Sequence, residues 1–274
     1  MNLLYITGGI GDTCAFTSAI SKLNNPVSVI GPWYKVFLTH PNVVSIYEST
    51  NYRAILNNEI FYKHFDNVIF LDSIHNQEFV KNSIHVCESA HSLLQLKNES
   101  NENEFYFSDL EKKTIDIINK KYPNLVLIQY ESATHKPEIK CYKNLSIATA
   151  QSLTDFLNLN NFNVLEVTNQ KPTLKNTING QIENILNYKF LFDYRDYLLA
   201  MQCCKFFVSI DSAINHYSSN KFNKKLGLVF WGSTSQKRFG YDHNINLKTS
   251  APDSMYFTKE DIETSLHNVI KNVS

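Results

Sequence analysis

The sequence predicts an α/β protein of two Rossmann-like domains, each built on a mainly parallel sheet, facing a central cleft. Three observations predict it. Short apolar runs alternate with helical patterns along the whole chain, as a parallel sheet with crossover helices requires. The first run, "NLLYIT", is closed by glycines and an aspartate in "GGIGD". The alternation begins afresh after Pro123 in "NLVLIQY", and 274 residues suffice for two domains of modest size.

Each element follows from its local pattern. "NLLYIT" (2–7) is a buried strand. "TCAFTSAISKL" (13–23) has helical spacing at Cys14, Ala15, Ala19 and Leu23. "VSVI" (27–30), "VVSIY" (43–47) and "NVIFL" (67–71) read as strands, and "VCESAHSLLQL" (86–96) as a helix. Ser108 and Glu111 form a capping box that opens a helix with an apolar stripe at Ile115 and Ile118, and Pro123 ends it. The domain boundary falls there, giving domains 1–107 and 108–274. The second half repeats the alternation: "LSIATAQSLTDFLNL" (145–159) is a helix, "FNVLEV" (162–167) a strand and "YRDYLLAMQCC" (194–204) a helix. Asp193 and Asp196 lie at the start of that last helix and read as caps. The strands "KFFVSI" (205–210) and "KLGLVFWG" (225–232) flank a turn and a helix beginning near His216. "TKEDIETSLHNVIKNV" (258–273) is a capped amphipathic helix, with packing back on the first domain one expected arrangement.

Composition excludes several classes. Hydrophobic residues make up 43% and charged residues 19%, the formal net charge is zero and the pI about 7.1. No global basic field is available for non-specific nucleic-acid binding. The five cysteines are odd in number and lack metal-type spacing, so they read as free thiols of a reducing compartment. The N-terminus lacks the basic and apolar regions of a signal peptide. No stretch approaches a membrane span. A cytoplasmic protein without stable membrane insertion is expected.

Chemistry is expected where strands end, since ligands of such sheets bind at the carboxyl edge. The loop holding Gly8, Gly9 and Gly11 follows the first strand and opens the first helix. Glycines let a ligand approach the backbone, and helix-start amides favour an anion. The spacing is neither the nicotinamide fingerprint nor a phosphate loop with lysine. Asp12 suits a helix cap as well as a general base. Near the other end, Asp211, Ser212, Ala213 and His216 follow one strand, and Gly232, Ser233 and Thr234 follow the next. Small and polar residues at two neighbouring strand ends suit a phosphorylated ligand. Ser212 and the amides around Ala213 would bind phosphate oxygens, and His216 would hydrogen-bond or charge-pair with the same anion. As plain structural residues, Asp211 would form a turn and His216 would pack its helix.

These residues resemble the heptosyltransferase-like glycosyltransferases, the ADP-heptose:lipopolysaccharide family with the two-domain GT-B fold. "GDTCAFTSAISKL" is similar to that family's G-D-x-x-x-x-T-P-A-I-x-x-L-K, with Ser18 in place of proline. "IDSAINHYSS" is similar to D-[ST]-G-x-x-H-x-A-A, with Ala213 in place of glycine, and "LVFWGSTSQKRFGY" resembles L-F-G-x-T-x-P. "KNLSIATAQSLTDFL" is similar to K-x-W-P and its helix, which puts Lys143 at the family lysine and Leu145 at the tryptophan; Lys136 and Lys140 are rivals.

The resemblance implies roles. Asp12 would deprotonate the acceptor hydroxyl and Lys143 would neutralise donor phosphate. Gly9, Gly11, Asp211, Ser212, Ala213, His216, Gly232, Ser233 and Thr234 would contact the donor. The first domain would hold the acceptor and the second the nucleotide sugar. The implied reaction is inverting transfer from a nucleotide-diphosphate sugar to a hydroxyl of a glycan or glycolipid in lipopolysaccharide-type biosynthesis. No cofactor and no metal are expected, the nucleotide sugar being a co-substrate. Two alternatives stand beside it: transfer to a modified base in DNA, against which the neutral charge argues, and a non-catalytic nucleotide-sugar binder.

Overall fold

A computed structural model of the chain describes residues 1–49, 59–132, 143–168, 171–186, 193–249 and 255–273. The chain divides into two compact units, Met1–Ser108 with Asn220–Phe222, and Asp109–Ser219 with Asn223–Ser274.

The first unit is built on four strands, β1 (Asn2–Ile6), β2 (Val27–Gly31), β3 (Val43–Glu48) and β4 (Asn67–Leu71). Their order is β3-β2-β1-β4, and every neighbouring pair is parallel. Helix α1 (Ile10–Ser21) buries every residue from Thr13 to Ile20. Its small and apolar side chains allow that all-round burial, which a surface helix with one polar face could not accept. A short helix α2 (Glu59–Tyr62) precedes β4. Helix α3 (Gln77–Asn82), capped by Asn76, was not legible in the sequence. Helix α4 (Val86–Leu93) packs on α1 and stops short of the predicted Leu96. Gln95 turns left-handed there (φ 57°), and the Leu96 amide donates to the His91 carbonyl, which closes the helix.

Three residues distant in sequence complete this unit. Asn220 pairs with Asn103 as an isolated parallel bridge, and its side chain accepts from the Phe105 amide at 3.4 Å. Lys221 Nζ lies 3.1 Å from the buried carboxylate of Glu104, which also accepts from Tyr106 Oη at 2.7 Å.

The second unit carries β5 (Leu125–Gln129), β6 (Asn163–Glu166), β7 (Phe206–Ile210), β8 (Gly227–Trp231) and β9 (Ile245–Lys248), in the order β6-β5-β7-β8-β9, all parallel. Strands β7 and β8 are buried at every position, the mark of central strands covered on both faces. Helices α5 (Asp109–Lys121), α6 (Ile147–Leu159), α7 (Asn179–Leu186) and α8 (Tyr194–Cys203) belong to this unit. Ser146 caps α6, and Asp193 caps α8 as its sequence position predicts. Arg195 of α8 makes a two-pronged ion pair with Glu111 of α5, at 2.8 and 3.1 Å. The closing helix α11 (Lys259–Val273), for which packing on the first domain was one expected arrangement, puts Leu266 and Val269 into the second unit's own core.

Both sheets have a topological switch point. In the first, strand order reverses between β1 and β4; in the second, between β5 and β7. Parallel sheets of this type bind ligands beyond the carboxyl ends of the strands at such points.

Gly227 opens β8, and a Cβ there would clash with the ring of Phe207, a fully buried residue of β7. Gly227→Ala should lower unfolding free energy by about 1–3 kcal/mol through overpacking, read as a shifted urea midpoint at unchanged slope.

Candidate active site

At the first switch point, Thr7 leaves β1 and Gly8 takes φ 95°, a backbone that L side chains rarely adopt. The turn aims the Gly9 amide at Asp12, whose Oδ2 accepts from it at 2.8 Å. Trp33 Nε1 donates to the Gly8 carbonyl at 3.0 Å and braces the turn from outside. Gly11 lies in the first turn of α1 beside Asp12. The structure therefore realises the cap reading of Asp12: its carboxylate holds the loop's own amide at the positive end of α1.

The second switch point gathers the other candidates. Lys143 follows β5 in sequence and Asp211 directly follows β7; Lys143 Nζ lies 3.1 Å from Asp211 Oδ2. The aspartate is only 6% exposed and the lysine 21%. Two bonds set the lysine's place: the Leu145 amide donates to the Tyr130 carbonyl at 3.0 Å, and the Asn144 side chain accepts from the Ser132 amide at 3.0 Å. Leu145 is buried. Lys136 and Lys140 lie outside the described residues.

Ser212 precedes the short helix α9 (Ala213–Tyr217). Its Oγ is buried without a hydrogen-bond partner, and so are Thr234 Oγ1 after β8 and Ser209 Oγ in β7. Buried hydroxyls without partners are costly unless something completes them. Gly232 is buried and Ser233 exposed at the same edge, just before helix α10 (Gln236–Phe239).

His216 is buried. Burial first of all drives its pKa down to about 4; Asp211 opposes the shift and Lys143 adds to it. The ring is thus neutral near pH 7 and is held by hydrogen bonding. Its Nδ1 lies 2.9 Å from Tyr241 Oη, and the ring stands edge-on to Tyr241. Tyr241 carries no local signal as a partner, and neither does the network behind it. There Asn215 Nδ2 donates to the Phe239 carbonyl at 2.9 Å, and Asn244 Nδ2 donates to Asn215 Oδ1 at 3.1 Å.

A second missed residue is Glu166, fully buried at the end of β6. Its carboxylate accepts from the amides of Thr173 and Leu174, at 2.8 Å for the latter, and fixes the loop that follows. Among the described residues no three or more His, Cys, Asp or Glu side chains are grouped to hold a metal, and no helix is long and apolar enough to cross a membrane.

No family model matches the sequence, and no curated protein does. Solved structures do match its fold. A glycosyl transferase of family 9 from Veillonella parvula shares 12% identity at a TM-score of 0.69, over 99% of this chain and 97% of that one. The E. coli heptosyltransferase WaaC, solved with ADP, shares 9% identity at 0.64, over the full length of both chains. The E. coli ADP-heptose lipopolysaccharide heptosyltransferase II shares 10% at 0.63, over 99% of each. The fold is thus the two-sheet α/β fold of the GT-B heptosyltransferases. These matches, at such low identity, concern fold alone.

The shifted histidine makes a testable prediction. Its folded pKa lies below the unfolded value of 6.5, so the unfolded chain binds more protons between these values. Stability should fall as pH drops from about 6.5 to about 4, by up to on the order of 3 kcal/mol from this residue. His40 and His91, whose pKa values burial also lowers, act in the same direction. Urea unfolding across this window should show a shallower pH slope for His216→Gln than for the parent.

Proposed function

We propose that the protein is a glycosyltransferase that moves a sugar from a nucleotide-diphosphate donor to a hydroxyl of a glycan or glycolipid acceptor. One observation carries the reading: Lys143 pairs with the buried Asp211 at the carboxyl edge of the second sheet, where Ser212 and Thr234 keep unpartnered hydroxyls, in a chain with the heptosyltransferase fold. An ADP-linked sugar is the donor to try first, since ADP is bound to WaaC and ADP-2-deoxy-2-fluoro heptose to the same enzyme in a second structure. A lipopolysaccharide-type core is the acceptor class to try first. A cytoplasmic site of action fits the buried free thiols of Cys14, Cys87, Cys203 and Cys204.

In this reading the second unit holds the donor. Lys143 swings from Asp211 toward the diphosphate, while Ser212, Thr234 and the amide at Ala213 donate to its oxygens. The Gly232 and Ser233 backbone lines the same edge, and His216 contributes a neutral hydrogen bond. Asp12 is the base. The acceptor oxygen forms a bond to the anomeric carbon and the carbon–phosphate-oxygen bond breaks. Its electron pair leaves on the nucleoside diphosphate, the acceptor proton passes to Asp12, and the anomeric configuration inverts. Gly9 and Gly11 let substrate approach the loop that presents Asp12. No divalent cation is needed where lysine and amides stabilise the leaving charge.

A thermal-shift panel of ADP-, UDP-, GDP- and CMP-linked sugars tests the donor claim, because ligand binding to the native state raises the melting point by mass action. One class should stand out; a flat panel would sink the proposal. With a donor in hand, Asp12→Asn should lower turnover by about 100- to 10,000-fold with little loss of melting temperature. Parent-like turnover would leave Asp12 as a cap only. Activity should also survive EDTA.

A further inference from the structure

The first switch point holds a second pair of side chains, on the strand beside the glycine loop. Asp72 directly follows β4. Its Oδ2 accepts from Thr7 Oγ1 at 3.1 Å and lies 2.8 Å from His75 Nδ1, while Oδ1 accepts from the His75 amide at 3.3 Å. Thr7 is the residue before Gly8, so the pair is tied directly to the turn that carries Asp12. The turn after β4 is anchored as well: Ser73 is fully buried, and its carbonyl accepts from Ser89 Oγ of α4. Yet the His75 side chain is 76% exposed. A largely exposed imidazole on a turn anchored this firmly is presented, not loose.

The chemistry of the ring follows from its partner. Burial alone would raise the pKa of Asp72, but hydrogen bonds from His75 and Thr7 outweigh it and hold the carboxyl low. An ionised carboxylate only accepts, so the hydrogen between Asp72 and His75 belongs to Nδ1. In the neutral ring Nε2 then carries a lone pair, on the exposed side chain. That is the arrangement by which an aspartate fixes the tautomer and aim of a histidine that receives a hydroxyl proton or hydrogen bond.

We infer that Asp72 and His75 form a hydroxyl-binding subsite of the first unit, in which His75 Nε2 accepts a hydrogen bond from a sugar hydroxyl of the acceptor and Asp72 is the positioning residue. This rests on the glycosyltransferase reading for its substrate, but not for its geometry. The site binds an uncharged sugar hydroxyl; no group transfers here. In that reading His75 holds a hydroxyl other than the one that reacts.

The test is nitrogen NMR on the full chain labelled at histidine, with the His75 signals assigned by their loss in His75→Gln. At mildly alkaline pH the parent should show the Nδ1–H tautomer at His75, and Asp72→Ala should lose it. The parent is then titrated with methyl glycosides of glucose, galactose, mannose and N-acetylglucosamine at high millimolar concentration. At least one should shift the His75 Nε2 signal saturably, and Asp72→Ala should weaken that response at least about tenfold. A parent His75 in the Nε2–H tautomer overturns the inference. So does a signal that no glycoside moves, or a response equal in Asp72→Ala. If glycosides shift His75 while no nucleotide sugar binds, the subsite stands and the proposed activity fails. If nucleotide sugars bind while His75 stays silent, the activity stands and the subsite fails.

Discussion

The ion pair of Lys143 and Asp211 is the constraint around which the second unit's ligand edge is arranged. A carboxylate 6% exposed bears a large desolvation cost, and without a partner such a group destabilises a protein by about 3–5 kcal/mol. The fold therefore has to deliver a cation to the end of β7. It does so from the segment after β5, the neighbouring strand across the switch point, through backbone bonds at Leu145 and Asn144. The pair also acts on His216: Asp211 favours the charged ring, Lys143 opposes it, and burial outweighs both to hold the pKa low. A half-buried lysine held on an aspartate in this way is a cation already placed, and the proposed activity uses it for the diphosphate. The unpartnered hydroxyls of Ser212 and Thr234 follow β7 and its other neighbour, β8.

The first unit solves a related problem with glycine. A helix that begins immediately after a central strand leaves its first amides without partners. Gly8 at positive φ and Asp12 at the third helical position satisfy one of them within the loop. The same tight turn leaves Thr7 able to anchor Asp72, so the ends of β1 and β4 carry a single connected polar edge. Each sheet thus concentrates its polar groups where its strand order reverses.

Much of this was legible in the sequence, for a physical reason. Strands buried on both faces must be apolar throughout, so "LLYI", "VSVI" and "FFVSI" announce themselves, and so do the polar loops that follow them. Strand β9 escaped because "INLK" is three half-exposed residues and an exposed lysine at the sheet's edge. Helix α7 escaped because "NGQIENIL" opens on polar residues and glycine and shows too little apolar period. The candidate residues Asp12, Asp211, Ser212 and His216 were found from their places after strands. Their states were not, because a state depends on partners far along the chain. Asp211 meets a lysine 68 positions away and His216 a tyrosine 25 positions away. The reversal of Asn220–Phe222 into the first unit had no local signal, since it depends on the Asn103 and Glu104 backbone and side chains.

The account rests on Lys143 as a cation poised for a diphosphate, and calorimetry tests that most directly. ADP and AMP would be titrated into the parent and into Lys143→Met, which keeps the stem but removes the charge. Removing a charge-assisted bond to phosphate is worth about 1.5–3 kcal/mol, so ADP affinity should fall at least about tenfold while AMP affinity changes little. Equal ADP affinity in parent and variant, with both folded, would contradict the account.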